Sequence, residues 1–192
     1  MFVQSKIKLN LGLHKYIFSL TLKTTFDDSK TIKLLLKMIQ FICKHFADLT
    51  VYELYDIMAL RQEIFVIEQN CPYLDADGKD LKGWHLMGRQ ISDDNTEGVL
   101  VVYTRLLPKG VSYDDYASIG RVVSSASVRG SGAGKILMQQ SIEMMEKLYP
   151  NQPVKIGAQT YLLKFYESLG FESTGEEYLE DDIPHTSMIL KK

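Results

Sequence analysis

An apolar run, Ile119-Gly-Arg-Val-Val123, leads into Arg129-Gly-Ser-Gly-Ala-Gly134, and an apolar-periodic segment from Ile136 to Leu148 follows. Strand, glycine turn and helix in that order commit this part of the chain to an α/β arrangement. The same order builds an anion cradle. Backbone N–H groups at a helix start lack intrahelical partners, the helix dipole adds partial positive charge there, and glycines let the backbone approach a phosphate. Counting separates the ligands such a turn takes. A nucleoside-triphosphate loop needs four residues between its glycine and Gly-Lys-Ser/Thr, whereas Gly130 and Gly134 enclose three and Ile136 follows Lys135. A dinucleotide fingerprint started at Gly130 or Gly132 would put its third glycine on Lys135 or Leu137. What remains is Arg-x-x-Gly-x-Gly, or a glycine turn of no chemical purpose.

The chain's 192 residues, 45% of them apolar, suffice for one domain, or one domain plus an extension. A net charge of −2 argues against nucleic acid as the main partner, because such domains carry a basic face. No run of about 20 apolar residues is present to span a membrane. Cys43 and Cys71 form no CxxC and suit a reducing compartment, which points to the cytoplasm. His14, His45, His85 and His185 lack zinc-ligand spacing, so no metal is expected. Charge is uneven: residues 1–37 carry seven Lys, no Arg and two acids, a sum of +5, and the rest of the chain carries −7. We expect 1–37 to be an extension and 38–192 the folded domain. The extension reads as a poorly ordered tail, as read-through upstream of a true start at Met38, or as a targeting segment; lack of Arg disfavours the last.

Ile39–Cys43 reads as a first strand. Thr50-x-x-Glu53 is a capping box opening a helix with Leu54, Ile57, Met58, Leu60, Ile64 and Phe65 at helical spacing. Gln69–Gly83 is a loop. Trp84–Ile91 and Val99–Leu107 are strands joined by the polar turn Ser92–Gly98, and Ser118–Val123 enters the glycine turn. The helix from Gly132 to Tyr149 stops at Pro150. Val154–Ala158 is a strand, Tyr161–Leu169 a helix ended by Gly170 as a left-handed C-cap, and Phe171–Tyr178 and Thr186–Leu190 close the sheet.

The spacing from Arg129 to Gly134 resembles the acyl-CoA pyrophosphate loop of the GNAT superfamily of N-acyltransferases. Gly157 to Phe171, ending in Phe165-Tyr166-x-x-x-Gly170-Phe171, looks like the helix after that superfamily's fifth strand. Leu60 to Asp80, Ile119-Gly-Arg-Val122, Gly157-Ala-Gln159 and Asp182-Ile-Pro-His185 resemble its ElaA-like subgroup. The likeness runs from about Met38 to the C-terminus and not through 1–37. Ser124 stands where an apolar residue is usual and Ala126 where proline is common. Tyr161 replaces a histidine often seen in the subgroup, which weakens any proton-transfer scheme using that histidine.

The resemblance implies an α/β chain of GNAT acyl-CoA N-acyltransferase fold, a mixed central β-sheet flanked by helices. It implies transfer of an acetyl group from acetyl-CoA, as co-substrate, to a primary amine on a small molecule or peptide, directly in a ternary complex. Homodimers are frequent in the family. Carried over residue by residue, Arg129, Gly130, Ser131, Gly132, Ala133, Gly134 and Lys135 take the pyrophosphate. Main-chain groups of Val122, Val123 and Ser124 pair with the pantetheine arm, and an N–H of that strand faces the thioester oxygen. Tyr166 sits near the sulfur as general acid.

A phenol of pKa about 10 protonates a thiolate of pKa about 8.5 only uphill, by ~2 kcal/mol, so the proton must move as the C–S bond breaks. Loss of such an acid costs about 10²–10⁴-fold. For the base, the subgroup-like motif puts Glu68 first, then His85 and His185, whose imidazoles are better matched to pH 7. Each has a plain alternative: a helix-end salt bridge for Glu68, a satisfied hydrogen-bonding role for each histidine. The acidic stretch Asp75-Ala-Asp77-Gly-Lys-Asp80 fails the calcium-loop pattern, which needs Asp or Asn and then Gly where Lys79 and Asp80 stand. We expect a solvated loop that attracts a cationic acceptor. Neither cysteine is an obvious acyl carrier, with Cys71 left open. Two rival classes remain: a non-catalytic acyl-CoA-binding regulatory module, and an interaction protein with an incidental glycine turn.

Overall fold

The computed structural model describes residues 16–17, 39–92 and 95–191. The expected boundary at Met38 lies outside the described residues, as does the N-terminal segment apart from Tyr16–Ile17, which pair with Cys43 and Ile42 of the sheet. The strands are β1 (Tyr16–Ile17), β2 (Ile39–His45), β3 (Trp84–Ser92), β4 (Asn95–Leu107), β5 (Ala117–Ser124), β6 (Val154–Gln159), β7 (Glu172–Glu180) and β8 (Ile183–Leu190). The helices that frame them are α1 (Val51–Arg61), α2 (Ala133–Leu148) and α3 (Leu163–Glu167).

Side chains alternate between sheet faces, and the core divides accordingly. On β3, Leu86 joins one buried cluster and Met87 the other; on β4, Val102 and Tyr103 divide the same way. The first cluster takes the buried stripe of α2 (Ile136, Leu137, Met144 and Met145) together with Tyr166 and Phe171. The second takes Ile57, Leu60 and Ile64. The helices therefore cover opposite faces, giving the expected three-layer α/β arrangement. One sheet runs β1-β2-β3-β4-β5-β6-β8-β7, antiparallel except for β5 against β6, and so is mixed. Among the described residues no helix is long and apolar enough to cross a membrane.

Local signals act where the sequence puts them. Thr50 Oγ1 accepts the Glu53 N–H at 3.1 Å and Glu53 Oε2 accepts the Thr50 N–H at 2.8 Å, completing the capping box. Gly170 (φ +92°) ends the segment after α3, its N–H bonding Glu167 O at 3.0 Å. One difference lies after α1. The expected continuous helix widens over Gln62–Glu68 into i→i+5 pairing, with Gln69 N–H bonding Ile64 O at 3.1 Å. Such wide turns gather at functional sites.

Two irregularities shape the middle of the sheet. Tyr103 pairs with Val123 and Arg105 with Gly120, so Thr104 alone faces Arg121 and Val122. This is a β-bulge, and Arg121 adopts φ +54° within it. The parallel contact between β5 and β6 is short as well. Only Ala117–Val154 and Ser118–Lys155 are paired, after which the strands part.

Candidate functional site

Gly132 caps α2 in the left-handed region at φ +90°, where an L side chain is strained whatever the space. The space is in fact open, since a Cβ there would meet nothing within 4 Å. Among the described residues no backbone N–H from Gly130 through Gly134 makes a main-chain hydrogen bond. Lys135 differs: its N–H already bonds Gly132 O at 3.0 Å, leaving only its side chain for an anion. Ser131 turns its hydroxyl onto Val128 O. Arg129 is pinned, donating from Nε to Ser124 O at 3.0 Å and from Nη2 to Glu68 Oε2 at 2.6 Å. The turn is thus a row of amides without main-chain partners beside a guanidinium held by Glu68, an arrangement whose chemistry suits an anion.

The parting of β5 from β6 opens into a cleft of about 750 Å³. Ile119, Gly120, Arg121 and Val122 line one wall, and Ile156, Gly157 and Gln159 the facing one. Of the strand residues predicted to hold a pantetheine arm, Val122 reaches this cleft. Val123 turns its side chain into the α1 cluster, and Ser124 is half-buried. Tyr166 lines the cleft from α3 although only 6% exposed. It is held edge-on by Phe165 and Phe171, at 5.0 and 6.0 Å between ring centroids. Its hydroxyl has no hydrogen-bond partner among the described residues. Burial, with a smaller push from Tyr161, raises its pKa to about 12, so it is a protonated donor at neutral pH.

The three candidate bases are not brought together. Glu68 lies outside the cleft, in its ion pair with Arg129. His85 is fully buried between the sheet and the 79–82 turn, with Nδ1 2.7 Å from Tyr103 Oη and Nε2 3.1 Å from Asp80 O. Burial, aided by the charges of Arg61 and Arg105, pushes its pKa down to about 4. Only His185 lines the cleft. Its ring stacks on Tyr178 at 5.7 Å, and its Nδ1 lies 2.8 Å from Ile183 O.

The stretch from Asp75 to Asp80 is not the solvated loop that its composition suggested. Asp75 and Asp80 are 4% and 8% exposed. Arg61, fully buried, reaches Asp75 and Asp80 at 2.7 Å each. Arg105 grips Asp77 through two bonds of 2.7 and 2.8 Å, and Arg121 takes Asp75 at 2.6 Å. Three carboxylates meet three guanidiniums, and no surplus negative charge remains there to draw a cation. Arg121 is the residue that sequence reasoning missed. Its left-handed backbone shapes the β5 bulge while its guanidinium, lying over the Tyr73 ring at 5.7 Å, ties that bulge to the loop. The motif Ile119-Gly-Arg-Val122 contained it but carried no sign of the bulge.

The far wall is built by β7, β8 and Tyr113, which precedes β5. A Cβ on Gly157 would collide with the Tyr178 hydroxyl, so the cleft floor admits only glycine with this tyrosine in place. Lys155 pairs with Glu176 at 3.1 Å and lies 5.0 Å from the Tyr113 ring centroid. Glu180 and Asp181 line the same wall, and among the described residues no ion pair engages either.

Residues 84–192 match the family described as "Acetyltransferase (GNAT) domain". Protein ElaA of Escherichia coli (strain K12) is 41% identical over 153 residues, covering 79% of this chain and 95% of that protein. The crystal structure of an acyl-CoA N-acyltransferase from Pseudomonas aeruginosa superposes with a TM-score of 0.71 at 44% identity, over 79% of this chain and 98% of the other. That of Escherichia coli ElaA gives a TM-score of 0.71 at 38% identity, over 81% of this chain and all of the other.

Proposed function

The chain belongs to the GNAT acetyltransferase family, on its ElaA-like side, and from that premise we propose that it moves an acetyl group from acetyl-CoA to a primary amine by direct transfer in a ternary complex. Acyl transfer from coenzyme A is the chemistry of the family; the acetyl group, the amine and the roles below are our reading. The domain that performs it is read as 38–192. The alignment with ElaA, 153 residues long yet 95% of that protein, supports this reading.

The observation that carries the proposal is the parting of β5 and β6 with Tyr166 buried at the resulting cleft. The coenzyme's diphosphate would lie on the free amides of 130–134 beside Arg129 and the Lys135 side chain, each helix-end charge contact being worth about 0.3–1 kcal/mol. The pantetheine arm would follow the backbone of Val122, Val123 and Ser124. The bulge leaves Arg121 and Val122 opposite a single partner residue, and a strand N–H left out of the ladder there would face the thioester oxygen.

Tyr166 would then protonate the leaving sulfur. With its pKa at about 12, transfer to a solvated thiolate of pKa about 8.5 is uphill by ~5 kcal/mol, so the proton must pass as the C–S bond breaks. Poor solvation at that depth raises the sulfur's own basicity and narrows the gap. Cys71 does not suit a covalent intermediate. Burial and the carboxylates of Asp181 and Asp182 raise its pKa, whereas an acyl carrier needs a thiolate.

The test is thiol release from acetyl-CoA across a panel of primary amines. Wild-type protein should release thiol with at least one amine class, and Tyr166→Phe should turn over about 10²–10⁴-fold more slowly while still binding coenzyme A. Binding of acetyl-CoA with no release on any amine would replace the enzyme reading by an acyl-CoA-binding regulatory module.

A further inference from the structure

We propose that His185 is the general base of the transfer, acting on an acceptor that arrives as an alkylammonium ion. This rests on the acetyltransferase reading above and assigns it a base and an acceptor class.

The tautomer follows from the hydrogen bond. Nδ1 lies 2.8 Å from Ile183 O, and a main-chain carbonyl only accepts. Nδ1 therefore carries the proton, which leaves the lone pair of the neutral ring on Nε2. Among the described residues Nε2 has no partner. The ring is also held in place. His185 pairs across the sheet with Gln159, the last residue of β6, and the next residue, Thr186, bonds Thr160 Oγ1 at 3.2 Å. That bond ties β8 to the start of the segment that carries Tyr166, so acid and base open onto one cleft from adjoining elements. The neighbouring Tyr178 ring, inclined at 20° to the imidazole, offers a π face to the imidazolium once formed.

The other two candidates lack one requirement each. Glu68 is outside the cleft and neutralises Arg129. His85 has both nitrogens occupied and no exposed surface.

An alkylamine with pKa about 10.4, that of a lysine side chain, is almost wholly protonated at pH 7 and has no lone pair to attack with. His185 Nε2 takes one proton from this ammonium. The freed nitrogen forms the C–N bond, the C–S electron pair leaves with sulfur, and Tyr166 protonates that sulfur. The attacking nitrogen then sheds a second proton, which restores the Tyr166 hydroxyl, and His185 returns its own to solvent. One proton thus ends on the thiol, one in solvent and one on the amide. Glu180 and Asp181, on the same wall and without an ion pair among the described residues, add a field that favours the cationic acceptor.

The experiment compares His185→Gln with wild type on two probes at pH 7, a primary alkylamine and an acyl hydrazide that is neutral at that pH. The proposal expects kcat/KM for the alkylamine to fall about 10²-fold or more, and that for the hydrazide to stay within about threefold. The hydrazide also reports whether the variant is folded. Equal losses on both probes would mean that His185 only supports the cleft, and unchanged rates on both would remove it from proton transfer; either result overturns the proposal. Wild-type protein inactive on both probes and on the wider amine panel would instead defeat the acetyltransferase reading itself.

Discussion

Two acidic segments border the cleft, and they differ in what faces them. Asp75, Asp77 and Asp80 sit in a loop between α1 and β3; Glu180, Asp181 and Asp182 sit at the β7–β8 turn. Counted along the sequence they look alike. In space the first set is gripped by Arg61, Arg105 and Arg121, while among the described residues no ion pair reaches the second. The first is a brace that shapes one wall and the β5 bulge. The second is a source of field at the mouth. The difference teaches that a run of carboxylates has no electrostatic meaning until its partners are known, and here those partners lie 14 to 46 residues away.

The sharpest way to break this contrast is to remove the guanidinium at the centre of the brace. Arg61→Ala leaves the carboxylates of Asp75 and Asp80 buried without their shared cation, and breaking a buried pair in this way costs about 3–5 kcal/mol. Arg61→Lys should recover only part of the loss, because a single ammonium cannot bond both carboxylates and Asp75 O as the fork does. Urea unfolding midpoints measure both. A loss under about 1 kcal/mol for the alanine variant would show that the brace is an incidental surface cluster.

Acid titration gives the next effect. Burial pushes the Asp77 pKa upward, but hydrogen bonds from Arg105 and the Lys79 N–H, and the charges of Arg105 and Arg121, overcome it and hold the group at about 2. The folded value lies below the unfolded one of about 3.9, so the unfolded chain binds more protons between them. The contribution of Asp77 is therefore complete above about pH 4 and disappears as pH falls through about 2. Asp75, also lowered against the push of burial by Arg61 and Arg121, adds in the same direction. Comparing wild type with Asp77→Asn by thermal unfolding, the stability gap should be full at pH 6 and shrink towards pH 2. A gap of constant size would detach Asp77 from the brace.

The same contrast explains what was legible in the sequence. Signals read locally arrived intact: the Thr50–Glu53 box, the glycine turn at the head of α2, the left-handed Gly170 and the first strand at Ile39–Cys43, within β2. Each depends on residues a few places apart, so spacing alone carries it. The cleft depends on contacts across the sheet. Nothing in Ile119-Gly-Arg-Val122 announces that β5 gains an extra residue opposite Thr104, because a bulge is a property of pairing. The bases show it too. The sequence ranked Glu68 ahead of His85 and His185 by its place in a motif, whereas their burial and hydrogen bonding, which the motif does not carry, set the three apart in space. Even the widened turn at Gln62–Glu68 leaves Ile64 buried, so its apolar spacing reads as ordinary helix.

The smallest expected effect on stability falls on the mouth, and its smallness is informative. Glu180→Gln with Asp181→Asn deletes two charges that form no ion pair among the described residues, so the unfolding free energy should move by no more than about 0.5 kcal/mol. The consequence should appear in kinetics instead. Charges that only supply a field act on encounter with a cation, and salt screens them beyond about 10 Å at 0.1 M. The double variant should therefore raise KM for an alkylammonium acceptor several-fold at low salt, lose most of that difference at about 0.5 M salt, and leave a neutral hydrazide unaffected. Were the hydrazide to suffer equally, the two carboxylates would be shaping the wall, as the brace does on the other side, and the distinction between the two segments would collapse.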